Sequence, residues 1–240
     1  MGNAVTFYDL AWDTDFFGIT SAKAILHKPL TMNEWKLLKN RFSEYQFVSI
    51  ENRNSEPVNT QLIGSDTSAY LVDVNIQFVK TLEVPDRVSS NIVVHQALDH
   101  NDQILELADF QFSKFTEDSE LANRNGDQVY LQWLINSFGK SEKFFAISKN
   151  ENGLVNGFLL HSYFENSCVV ELIAVSKVSS KSGIGTELFK AVEEFSCQRG
   201  IKEIKVGTQV RNMAAINFYH KVGCKQIGCH QVYHLWNNGM

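Results

Sequence analysis

The chain has 240 residues and a formal net charge of −5, which excludes the concentrated basic surface of a general nucleic-acid binder. Hydrophobic residues make up 44% and charged residues 20%, so there is ample material for a globular core and little reason to expect disorder. No apolar run approaches the roughly 20 residues that cross a bilayer, and the acidic N-terminal stretch lacks the form of a secretory leader. The four cysteines, Cys168, Cys197, Cys224 and Cys229, have no CxxC spacing, so no metal site is expected. Scattered thiols suit a cytoplasmic protein.

Residues 5–8 and 20–24 read as short strands around a turn at Asp13, Thr14 and Asp15. Thr31 and Glu34 have the spacing of a capping box that opens a helix, with Trp35, Leu37, Leu38 and Phe42 on its buried side. Residues 47–50 have strand composition, 52–68 read as a long polar loop, and 69–79 as another strand. The stretch 84–90 is the best place for a boundary, giving an N-terminal domain at 1–88 and a second at 89–240.

In the second domain 92–94 reads as a strand, and apolar spacing makes helices of 99–112 and 127–138. Three strands at 144–148, 154–163 and 168–175 form a meander, with turns at Asn152-Gly153 and Asn166-Ser167. A helix at 183–199, a strand at 203–207, a helix at 213–222 and strand material at 225–236 complete an α/β chain of the α+β type.

Two segments carry chemistry. In the first, strand 169–175 runs into a polar loop, and Gly183-Ile184-Gly185 opens an amphipathic helix. Free amides and the positive end of the helix dipole make such a junction an anion cradle, although Gly-x-Gly alone also fits a tight turn packed on the sheet. In the second, a strand ends in a polar turn and Asn212 can begin a helix that Gly223 closes. Tyr219 lies about two turns beyond Asn212, so both can face one cleft. A phenol is protonated at neutral pH and can donate to a departing thiolate; Phe218 and Tyr219 equally fit core aromatics.

Together these segments resemble the GNAT superfamily of acetyl-CoA-dependent N-acetyltransferases, over roughly residues 92–236. The resemblance implies a mixed, mostly antiparallel, twisted sheet flanked by helices, with a splayed central strand and a smaller N-terminal α/β domain. It implies acetyl-CoA as acyl donor, with Leu172, Ile173, Ala174 and Val175 beside the pantetheine. Ser180, Lys181, Ser182, Gly183, Ile184 and Gly185 would form the pyrophosphate loop. The family usually has Arg or Gln where Ser180 stands, so that side chain is lost. Asn212 matches a cleft asparagine of the family, and Tyr219 its common general acid. Glu171 stands where several relatives carry a glutamate that deprotonates the amine, usually through water; it equally fits a rim carboxylate.

Residues 208–219 are further similar to the same stretch of the dTDP-fucosamine acetyltransferase family, as are 12–18, 112–115, 130–133 and 232–236. This implies direct attack of a sugar amine on the acetyl carbonyl, in a ternary complex serving surface polysaccharide biosynthesis. The partner is then a small nucleotide-linked amino sugar, with no role for nucleic acid or membrane and with a homodimer among the allowed states. Trp12, Asp15, Phe16, Ser113 and Trp133 are the expected acceptor contacts, with Asp13 beside them. Two alternatives stand: another amine acceptor (protein N-terminus, polyamine or other amino sugar), or a CoA-binding module without catalysis.

Overall fold

The computed structural model describes residues 4–83, 92–179 and 182–237. The first stretch holds β1 (Val5–Asp9), α1 (Ala11–Phe17), β2 (Ser21–Leu26), α2 (Met32–Phe42), β3 (Phe47–Asn52), α3 (Pro57–Asp66) and β4 (Tyr70–Thr81). Then come β5 (Val93–Gln96), α4 (Asp102–Glu106), α5 (Lys114–Glu117), α6 (Ser119–Ala122) and α7 (Val129–Ser137). The meander is β6 (Lys143–Lys149), β7 (Val155–Phe164) and β8 (Ser167–Val175). The chain continues through α8 (Ile184–Gln198), β9 (Glu203–Gln209), α9 (Met213–Lys221) and β10 (Lys225–Trp236).

All ten strands form one sheet in the order β1-β2-β3-β10-β4-β9-β8-β7-β6-β5. Among the described residues only β2–β3 and β8–β9 are parallel pairs. The expected domain boundary at 88/89 lies outside the described residues. β4, which precedes it, sits between β9 and β10 in the middle of the sheet.

Apolar spacing decides which helix covers which face. Leu188, Phe189 and Val192 of α8 and Tyr219 of α9 pack on Phe78, Leu159, Val170 and Val206. On the opposite face Ile104 of α4 and Leu134 of α7 pack on Phe145, Phe158 and Leu160. Each fully buried side chain of this size contributes about 1.5–3 kcal/mol. In the N-terminal part, Trp35, Leu38 and Phe42 of α2 pack with Val48 and Ile50 of β3. The capping box forms as the sequence indicates, with Thr31 accepting from the Glu34 amide. Leu37, expected on the buried side of α2, is exposed.

Three sequence expectations are corrected. The turn at Asp13-Thr14-Asp15 is instead helix α1, whose buried Phe17 packs with Leu121 and Val129; tertiary burial stabilises a segment too short to be helical alone. The loop at 52–68 contains α3, with Pro57 in its first turn and the Glu56 side chain accepting from the Val58 amide. No apolar stripe announces α3 because amides hold it: buried Asn59 donates to the Lys28 carbonyl and accepts from the Leu30 amide, both at 3.0 Å. The helix expected over 99–112 stops at Glu106, and the chain beyond it turns Leu107, Phe110 and Phe112 into a cavity.

That irregular stretch leads into α5 and α6, which are latched to the sheet by Asp118. Its buried carboxylate caps α6 by accepting from the Glu120 and Leu121 amides. It also accepts from His234 Nδ1 at 2.6 Å and Trp236 Nε1 at 3.0 Å, both on β10. Burial pushes this carboxyl up, but the hydrogen bonds from His234 and Trp236 outweigh it and hold it at about 2. Among the described residues no helix is long and apolar enough to cross a membrane. No group of three or more His, Cys, Asp or Glu there could hold a metal ion.

Candidate active site

The site begins where two neighbouring strands separate. β8 and β9 pair only over residues 167–170 opposite 203–206. Leu160 of β7 faces Leu172 while His161 faces Val170, so Glu171 is an extra residue on β8. Such a bulge bends its strand, and from there β8 follows β7 while β9 follows β4. A wedge opens between them. Along it the outward backbone groups of Leu172, Ile173, Ala174 and Val175 have no β9 partner, and all four residues wall a cavity.

Near the wedge, α8 starts at Gly183, whose φ of 95° is a left-handed conformation that suits glycine. No side chain caps this helix, and the amides of Gly183, Ile184 and Gly185 have no hydrogen-bond partner among the described residues. Free amides at the positive end of a helix dipole make an anion seat. Ser182 donates to the Ser179 carbonyl at 2.6 Å. Ser180 and Lys181 lie outside the described residues. By contrast α9 is capped by its own Asn212, whose Oδ1 accepts from the Ala215 amide at 3.1 Å. Asn212 and Tyr219 both line the cavity. The Tyr219 ring is packed against Phe78 and Phe218. Burial, and next the neighbouring Cys224, raise its phenol above the usual range, so it keeps its proton.

The cavity measures about 990 Å³, at the upper end of small-ligand sites. Its floor runs from β8 across β9, β4, β10 and β3 to β2. In the middle, Asn75 and Gln77 of β4 and Gln209 of β9 form a row of amides beneath Phe110, Phe115, Tyr130 and Trp133. Gln77 donates to Asn75, and Gln209 Nε2 donates to Tyr130 Oη at 3.3 Å. Gly207 makes room for this row: a Cβ there would stand 2.6 Å from Asn75 Oδ1 and 2.9 Å from Gln77 Nε2.

Glu171 reaches the cavity wall, but its carboxylate is engaged. Lys143 Nζ donates to both oxygens at 2.6 and 2.7 Å, and Trp133 Nε1 donates at 3.0 Å. Trp133 lines the cavity. The other expected acceptor contacts do not line the cavity. Trp12 stacks on Phe16 at 4.6 Å within α1, and Asp15 is exposed. Ser113 is buried as the cap of α5, its Oγ accepting from the Phe115 amide. The far end is instead made by Lys23, Glu51, Arg53, Asp73 and Lys114, one charged residue or two from each of several elements. No local pattern in the sequence marks them.

A profile of the acetyltransferase (GNAT) family matches residues 101–224, just over half of the chain. The chain belongs to the GNAT family. The fold is the mixed-sheet α/β fold of that family, whose members are acetyltransferases that use acetyl-CoA as donor. The wedge fits that donor: unpaired β8 backbone suits the amides of a pantetheine arm, and the uncapped start of α8 suits a pyrophosphate. The spore coat polysaccharide biosynthesis protein SpsD of Bacillus subtilis is 25% identical over 135 residues, 55% of this chain and 46% of that protein. The uncharacterized protein YxbD of the same organism is 35% identical over 74 residues, 31% of this chain and 45% of that one. The matches thus span less than half the length of either relative. A GCN5-related N-acetyltransferase structure from Sphaerobacter thermophilus superposes with a TM-score of 0.62 at 13% identity, covering 99% of this chain and 78% of that one. At that identity the likeness concerns the fold, and it extends over the N-terminal part as well as the matched family segment.

Proposed function

We propose that this GNAT enzyme acetylates the amine of a nucleotide-linked amino sugar, of the dTDP-4-amino-4,6-dideoxyhexose type, in surface polysaccharide biosynthesis. The observation that carries this reading is the row of Asn75, Gln77 and Gln209 beneath Phe110, Phe115, Tyr130 and Trp133. Amides both donate and accept, which suits the hydroxyls of a sugar ring, while aromatic faces suit its apolar side or a nucleobase. The partial similarity to SpsD supports the same direction.

Acetyl-CoA bound in the wedge supplies the activated acetyl group. Outward amides of β8 near Ala174 or Val175 stabilise negative charge that develops on the carbonyl oxygen. Tyr219, held protonated among apolar neighbours, donates its phenolic proton to the departing sulfur. Glu171 is held by Lys143 and Trp133, an ion-paired geometry that disfavours direct proton abstraction and fixes the bulge that opens the wedge. The acceptor nitrogen loses its proton to water in the cavity, and that proton is returned through water to the Tyr219 phenolate.

The test is amine-dependent release of CoA thiol across dTDP- and UDP-linked amino sugars, free amino sugars, polyamines and peptide N-termini. Turnover confined to nucleotide-linked amino sugars is expected. Preferred turnover of peptides or polyamines would overturn the acceptor, and donor binding without turnover of any amine would overturn catalysis.

A further inference from the structure

Among the described residues four lysines and arginines line the cavity, and three have an anionic partner. Lys23 Nζ lies 2.7 Å from Glu51, Arg53 Nε 3.1 Å from the other Glu51 oxygen, and Lys177 Nζ 2.6 Å from Asp109. Lys114 has no hydrogen bond or ion pair among the described residues; its ammonium sits 5.0 Å from the centre of the Phe115 ring. A half-buried ammonium with no hydrogen-bonded or ion-paired partner is costly. The fold nevertheless holds it rigidly, with Ser113 capping α5 on one side and Asp118 latching the chain to β10 on the other.

Resting on the nucleotide-sugar reading, we propose that Lys114, together with Lys23 and Arg53, is the subsite for the diphosphate of the acceptor. Glu51 is shared between two cations, so the Lys23–Glu51–Arg53 group keeps one net positive charge. Lys114 adds a second, offset by Asp73 and Asp13 while they are ionised; a diphosphate seated here favours their protonated forms and meets the full charge of the three cations. β3 stands four strands from β8 in the sheet, roughly 19 Å at the usual interstrand spacing, so the acceptor that fills both ends is longer than a free hexose.

Other charged groups face Lys114: Asp13 of α1, Lys23 of β2, Glu51 of β3 and Asp73 of β4, with His230 of β10 farther along the same wall. Burial raises Asp13 and takes Asp73 up to about 6, against the pull of Lys114. Burial, and next Lys23, lower Lys114 to about 8. An arriving dianion favours the protonated form of all three groups. Binding therefore takes up protons between about pH 8 and about pH 6 and tightens as pH falls through that window.

The experiment titrates dTDP-glucose into the full chain by calorimetry, with saturating CoA present to fill the donor seat. This probe carries the diphosphate at constant charge and has no amine to acetylate. Wild type is expected to bind, Lys114→Met to bind at least about 10-fold more weakly, and Lys114→Arg to stay within about 3-fold. Wild-type affinity is expected to tighten several-fold from about pH 8.5 to about pH 6.5, and that of Lys114→Met to change less. Free glucose should not compete. Absence of wild-type binding, or equal binding by Lys114→Met, would overturn the subsite. Should Lys114→Met prove unstable, Lys23→Met and Arg53→Met serve instead, each expected to weaken binding about 3-fold or more; equal binding by both would count against the subsite. Failure of the acceptor panel with retained Lys114-dependent probe binding would sink only the turnover assignment and leave the subsite standing.

Discussion

At the wedge the cavity is walled by the strand β8 beyond its bulge, with the start of α8 outside its lining, whereas at the far end it is walled by charged side chains from β2, β3, β4 and α5. A main-chain wall cannot be changed by one substitution without refolding a strand, so it suits a donor common to a whole family. A side-chain wall changes one residue at a time, so acceptor choice can drift while the donor seat stays fixed. Substitutions that separate the two ends are the way to break this comparison.

The largest effect is expected from Tyr219→Phe, which removes one hydroxyl and leaves the ring packed on Phe78 and Phe218. CoA release at saturating substrates should slow by about 10²- to 10⁴-fold, the usual contribution of a general acid, with both KM values nearly unchanged. Near-normal kcat would remove Tyr219 from the mechanism. Next comes Asp118→Ala, which strands His234 and Trp236. Leaving these buried N–H groups unsatisfied costs about 1–3 kcal/mol each, measurable by urea denaturation. In the protein that remains folded, KM for the acceptor should rise while CoA affinity holds. An equal loss at both ends would show that the latch serves the whole fold.

Gly207→Val should push aside the amides of Asn75 and Gln77 and raise acceptor KM about 10-fold, again sparing CoA binding in a direct titration. Glu171→Gln is expected to be the mildest, lowering kcat by less than about 10-fold. A loss near the 10²- to 10⁴-fold range of general base catalysis would show that Glu171, despite Lys143 and Trp133, takes the proton.

The elements flanking the wedge were legible in the sequence because each is local; the opening between them was implied only by the family resemblance, since the bulge at Glu171 has no local signal. A strand, a glycine-opened helix, and the spacing from Asn212 to Tyr219 all sit within one stretch, and each has a periodic or capping signal. The meander and α8 followed from the same signals. α1 and α3 did not, since α1 has no side-chain cap and depends on burying Phe17, while α3 is held by the amide network around Asn59. Of the expected acceptor contacts, Trp12, Asp15, Phe16 and Ser113 lie off the cavity wall for a related reason. Trp12 and Phe16 satisfy each other by stacking, and the residues that do line the far end are brought together only by the order of strands in the sheet.

That order also bears on how the protein comes into being. β10 joins β3 on one side and β4 on the other, and Asn52 meets Gln231 across 179 positions of chain. A ribosome adding 5–20 residues per second leaves the outer edge of β3 waiting roughly 10 to 35 s for its partner. During that interval Phe47, Val48 and Ile50 form an open strand edge, a template for pairing with a neighbouring nascent chain. Most side chains of the far end are thus made early, but the sheet that carries them is complete only when β10 arrives.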